Sequence, residues 1–115
     1  MAFKIIINMA IIYLIESVRD YDTVYKIGFT KSNTSKNNRI RNLQTGNDGK
    51  LNIIFEFKTK HGKLLEKSLH NSFSHKKIRN EWFDLDIKDV ANFNKNCELI
   101  EKNFDALKDN HFFNK

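Results

Sequence analysis

Two apolar runs separated by a short polar stretch limit what this chain can fold into. Ile11-Ile12-Tyr13-Leu14-Ile15 and Val24-Tyr25-Lys26-Ile27-Gly28-Phe29 are dense in β-branched and aromatic residues, the composition of strands. The polar residues 16–23 between them suit a hairpin with a longer loop. Three isoleucines at positions 5–7 are expected to extend the first strand. Leu51-Asn52-Ile53-Ile54-Phe55-Glu56-Phe57 alternates at Ile53, Phe55 and Phe57 and reads as a third strand.

Helical spacing accounts for much of the remainder. Ser35 is placed to cap a short helix over residues 36–44, with Gly46 to stop it and a thin apolar face of Ile40 and Leu43. Asn47-Asp48-Gly49 is a turn. After Gly62, Leu65, Leu69 and Phe73 stack at i, i+4 and i+8, which predicts a helix over residues 63–74. Trp82-Phe83-Asp84-Leu85 is a short extended piece. Asp86 then caps one long closing helix, about residues 87–108, with Val90, Phe93, Cys97, Ile100, Phe104 and Leu107 on a single stripe. The order β-β-α-β-α-(β)-α describes an α+β fold, and 115 residues suffice for a single domain, 1–115.

Charge is unevenly spread. Residues 1–80 carry fifteen basic and six acidic side chains, whereas residues 81–115 carry five and eight. A strongly basic body followed by an acidic tail suits a polyanion on one face, nucleic acid first among candidates; a solvated lysine-rich surface explains the same numbers. The single cysteine, Cys97, excludes an intramolecular disulfide and a cysteine-built zinc site, and reads as a buried small hydrophobe. The apolar N-terminal stretch is broken at Asn8 and too short to span a bilayer, and nothing resembles a signal peptide. An intracellular protein without membrane contact is therefore expected. Fifteen Asn and sixteen Lys against four Arg match the codon bias of an AT-rich genome, so each arginine merits inspection.

Several residues carry usable chemistry. Glu66 and His70 lie one helical turn apart on one face, where a carboxylate can bind a hard cation and an imidazole can move a proton. The same pair, merely solvated, would add a few tenths of a kcal/mol to the helix, about 0.2–0.5. Tyr13 and Lys26 would meet on one sheet face if the first two strands pair. Gly28 weakens a strand unless something must approach closely. Arg39 and Arg41 suit a phosphate clamp, and His75, Lys76, Lys77 and Arg79 form a basic segment suited to a nucleic-acid backbone, or simply to solvent. Trp82 and Phe83 read mainly as core plugs, with base stacking as the lesser reading for them.

In combination these residues resemble a known family. Ile12-Tyr13, Lys26-Ile27-Gly28, Arg39 and Glu66 follow the order of the GIY-YIG endonucleases. Arg39-Ile40-Arg41-Asn42-Leu43-Gln44-Thr45-Gly46-Asn47, Leu65-Glu66-Lys67-Ser68-Leu69-His70-Asn71-Ser72-Phe73 and Glu81-Trp82-Phe83-Asp84-Leu85 are similar to its small phage- and virus-encoded branch, over about residues 10–86. The resemblance implies a central three-stranded antiparallel sheet flanked by helices. It also implies DNA phosphodiester hydrolysis with one divalent ion, Mg²⁺ or Mn²⁺. Glu66 would be the metal ligand and Arg39 would meet the scissile phosphate. Tyr13 and the group at Lys26 would flank the attacking water, with Tyr13 and His70 both open as the base.

Three departures bear on that expectation. Ile11 stands at the motif's first glycine, Lys26 at its second tyrosine, and Asn80 is the nearest candidate for an asparagine near the end of the core. Tyr25 cannot replace the missing phenol, because neighbours along a strand face opposite ways. The alternative is a catalytically inactive nucleic-acid-binding module on the same fold. A monomer is expected, with a homodimer through the closing-helix stripe as the other option.

Overall fold

The computed structural model describes residues 9–31, Arg41 and residues 49–108. The expected extension at 5–7, the helix at 36–44 and Arg39 lie outside the described residues; Arg41 is exposed. The elements are β1 (Ala10–Val18), β2 (Thr23–Thr30), β3 (Lys50–Thr59), α1 (Gly62–Ser72), a 3₁₀ turn (Ser74–Lys76), β4 (Lys77–Arg79), β5 (Trp82–Phe83), α2 (Ile87–Ala91) and α3 (Phe93–Lys108). They form an α+β fold around one antiparallel sheet of order β3-β1-β2-β5-β4. No helix among the described residues is long and apolar enough to cross a membrane.

The first two strands pair as a hairpin, tighter than the sequence suggests. Pairing runs from Ile11↔Thr30 to Val18↔Thr23. The connection closes with Arg19 N–H donating to the Asp22 carbonyl at 2.8 Å, and the Arg19 guanidinium grips the Asp22 carboxylate with two bonds of 2.7 and 2.6 Å. β1 is buried on both faces: Ile12 and Leu14 on one side, Ile11, Tyr13, Ile15 and Ser17 on the other. This explains why its sequence is a continuous apolar run rather than an alternating one.

One face of the sheet receives the helices. Ile12, Leu14 and Ile27 meet Leu65, Leu69 and Phe73 of the α1 segment, and Phe93 and Cys97 of α3 complete the cluster with Phe83 and Leu85. The closing stripe therefore packs on the body, with the Phe93 ring edge-on to Phe55 at 5.4 Å. Two polar contacts pin α3 to the end of β3: Thr59 with Glu101, and His61 Nε2 with Asp105 at 2.9 Å. Burial, and then Glu101 and Glu98, push the Cys97 thiol up to about 12, which leaves it an inert hydrophobe.

Two expectations are corrected. The sheet has five strands, not three, because the basic segment at 77–79 folds back on Trp82-Phe83 and adds a hairpin to the β2 edge. Three exposed residues carry no apolar alternation, so this strand had no periodic signal. The closing helix is two helices, interrupted at Asn92. Asp86 is the cap as expected: it accepts from Asp89 N–H while the Asp89 side chain accepts from Asp86 N–H, a reciprocal capping box.

That cap should set an acid limit. The Asp89 backbone N–H, and then the Lys76 ammonium, hold the Asp86 carboxyl below the usual carboxylate range. A depressed carboxyl contributes stability above its unfolded value, near 3.9, and loses it as pH falls below. Lys76, raised chiefly by Asp89, contributes below its ordinary value and loses it only in strong alkali. Asp86→Ala is expected to lower the melting temperature by several degrees at pH 7, with the gap to wild type closing as pH falls toward 3, measured by circular dichroism.

Candidate functional site

Tyr13 lies at the centre of β1, opposite Gly28 of β2, with no exposed surface. Its ring crosses directly over the glycine: a Cβ at position 28 would stand 2.6 Å from the Tyr13 Oη and 2.7 Å from Cζ. The close approach that a strand glycine implies is thus supplied by the phenol. Lys26, two residues earlier, shares that face and pairs in register with Ile15 and Trp82. Tyr25 points into the helical side, and burial with the nearby Glu16 raises its phenol above the usual value. It is no substitute for a second site phenol, as strand geometry required.

The β2 edge at Ile27 joins three elements. Its N–H donates to the Glu81 carbonyl at 3.2 Å, where the β5 ladder ends. Its carbonyl accepts from His70 Nε2 at 2.8 Å. A carbonyl oxygen can only accept, so Nε2 bears the proton, and a neutral His70 would keep Nδ1 as its acceptor. The ring also rests edge-on against Phe83 at 5.0 Å. His70 is thereby held as a link between α1 and the sheet. Glu81 acts twice, its carboxylate also pairing with the Lys26 ammonium. Lys26 is thus engaged within the protein rather than facing solvent, its side chain 11% exposed.

Glu66 lies one turn before His70 on the same side of α1 and is half-buried. The helix starts with Gly62 packed against Ala10 and the Phe29 ring, where a Cβ would fall 2.6 Å from the Ala10 Cβ. Between those anchors, α1 runs beside residues 27–29 of β2, the stretch that Tyr13 crosses from the other face. Among the described residues, no group of three or more His, Cys, Asp or Glu gathers into a metal cage. A single half-buried carboxylate suits Mg²⁺, which keeps most of its waters and takes one or two protein carboxylates plus phosphate oxygens.

The basic residues divide into engaged and outward-facing ones. Lys76 is held by Asp86 at 3.3 Å and by Asp89, so it braces the α2 cap instead of presenting its charge to a backbone. Lys77 and Arg79 are exposed on β4. Phe83 is a core plug as expected, but Trp82 is half-buried on the opposite face, outside the core cluster. Asn80 sits in the β4–β5 turn with φ 52°, which asparagine tolerates better than most residues. Sequence reading missed Lys31, Lys60 and Lys63, which with Met9, Ala10, Phe29 and Gly62 line a 780 Å³ concavity beside the start of α1. They are scattered along the chain, so no local motif marks them.

A family model described as the T5orf172 domain matches residues 10–109. No GIY-YIG model matches, so the membership expected from the motifs is corrected: the family shown is a different one, reported as related to GIY-YIG-like and HNH nuclease folds. Neither a search of curated proteins nor a search of solved structures returned a match.

The Tyr13–Gly28 crossing gives a direct test. Gly28→Ala should destabilise the protein by about 1–3 kcal/mol in urea unfolding, since the buried ring has no room to retreat. Tyr13→Phe in that background should recover part of the loss, because the hydroxyl makes the nearest approach.

Proposed function

The chain belongs to the T5orf172 domain family, and from that premise we propose that it is a metal-dependent nuclease hydrolysing DNA phosphodiester bonds. The observation that carries the reading is the approach of Tyr13 and the Glu66-bearing side of α1 to the same stretch of β2 from opposite sides. The basic body, with outward lysines beside α1, supports a polyanionic substrate.

In this proposal water attacks phosphorus, the bond to the leaving oxygen breaks, and negative charge gathers on the non-bridging oxygens. A divalent ion held by Glu66 would supply Lewis-acid stabilisation of that charge. Arg39 contacts the scissile phosphate through its guanidinium, and Arg41, Lys77 and Arg79 contact the backbone. Tyr13, whose buried ring Gly28 leaves a single placement, is a positioning residue that sets β1 against β2 behind the site. Lys26, locked by Glu81, ties the terminal hairpin to β2 beside the site. His70 holds α1 against β2 and so fixes Glu66.

A second reading is a DNA-binding module without turnover, favoured by the engagement of Lys26 with Glu81 in place of a second phenol. Incubation of supercoiled plasmid with Mg²⁺ or Mn²⁺ separates the two. Wild type is expected to nick or linearise the plasmid. Glu66→Gln should be slower by roughly 100-fold or more while still binding DNA in a salt-dependent manner. Equal cleavage by both proteins would sink the role of Glu66. Salt-sensitive binding with no cleavage under either metal would favour the second reading.

A further inference from the structure

Trp82, the single tryptophan of the chain, is left unused by the nuclease chemistry. It pairs in register with Lys26 of β2 and with Arg79 of β4, so the three share one sheet face. Tyr25 and Phe83, the neighbouring pair, point the other way into the core. The Lys26 ammonium stands 6.0 Å from the Trp82 ring centroid. Beside the indole, Arg19, Val24, Ile78, Arg79 and Trp82 line a 270 Å³ concavity. Ile78 is 51% exposed, an apolar side chain at the rim with nothing folded over it among the described residues. The Arg19 charge is already matched by Asp22, whereas Arg79 is exposed and forms no ion pair with any described carboxylate.

A half-buried indole with an exposed guanidinium on one side and an ammonium on the other has a specific partner chemistry. An aromatic face stacks on a base, and guanidinium groups bind phosphate. Within a duplex the base faces are already stacked on their neighbours, so only an unpaired nucleotide can present one. We propose that this concavity holds an unpaired nucleotide of a DNA strand, its base against Trp82 and its phosphate against Arg79. The inference rests on the nuclease reading and narrows it. The preferred substrate has a single-stranded segment, such as a flap or frayed end, on the β4–β5 side of the cut.

The single tryptophan makes the test direct. Wild-type protein in EDTA is titrated with a dye-labelled oligo(dT) of about eight nucleotides, and with a labelled blunt hairpin duplex, reading Trp82 emission and dye anisotropy together. Oligo(dT) should quench the emission saturably and salt-sensitively, while the hairpin binds without quenching. Trp82→Ala should weaken oligo(dT) binding by roughly ten-fold. Should that variant misfold, Arg79→Gln, at an exposed position, still tests the site: its log–log salt slope for oligo(dT) should fall by about one. Binding of oligo(dT) with emission unmoved, or equal quenching by the hairpin, would overturn the Trp82 site and leave the nuclease proposal standing. Failure of both DNAs to bind would overturn the two together.

Discussion

The Ile27 peptide group is the joint on which the arrangement depends. Its N–H is taken by the turn that carries Glu81, and its carbonyl by the His70 imidazole. A buried strand edge with either group unpaired would cost roughly 1–3 kcal/mol. The protein satisfies both with elements that also carry other residues of interest. Glu81 brings its carboxylate to Lys26, and His70 brings Glu66, one turn away, alongside β2. Satisfying one residue's backbone thus sets the spacing between strand, helix and terminal hairpin.

From that joint the two faces of the sheet take different tasks. The helical face is a packed apolar layer of leucine, isoleucine and phenylalanine, sealed by α3 and its polar contacts to the end of β3. The other face carries Tyr13 over Gly28, the engaged Lys26 and the half-buried Trp82. Charge follows a related division. Several acidic groups of the C-terminal third are spent on structure: Glu81 on Lys26, Asp86 and Asp89 on the cap and Lys76, Glu101 on Thr59. The acidic tail is therefore a set of internal braces as much as a solvated surface.

Much of this was legible in the sequence, and the failures have identifiable causes. Strands and helices with apolar periodicity appeared where Ile53, Phe55 and Phe57 or Leu65, Leu69 and Phe73 predict them, and Asp86 caps as its position suggests. The β4–β5 hairpin was missed because Lys77, Ile78 and Arg79 are all exposed, so no buried face imprinted a pattern. Trp82 was misplaced because a two-residue strand sets its facing through pairing with Lys26, a partner far away in sequence. The ion pairs of Lys26 and Lys76 are equally long-range and leave no local trace. His70 was read for its proton chemistry, while its partner is a main-chain carbonyl that no side-chain motif could reveal. The motif order pointed to GIY-YIG membership, whereas the family model that matches is the T5orf172 domain.

The most direct measurement compares His70→Gln with His70→Ala in thermal stability and in the proposed DNA cleavage. A glutamine amide can still donate to the Ile27 carbonyl, but it cannot act as a base near neutral pH. The joint described here predicts that His70→Gln keeps most of the stability and cleavage, while His70→Ala loses both. Cleavage abolished equally in two well-folded variants would contradict it and return His70 to the chemistry itself.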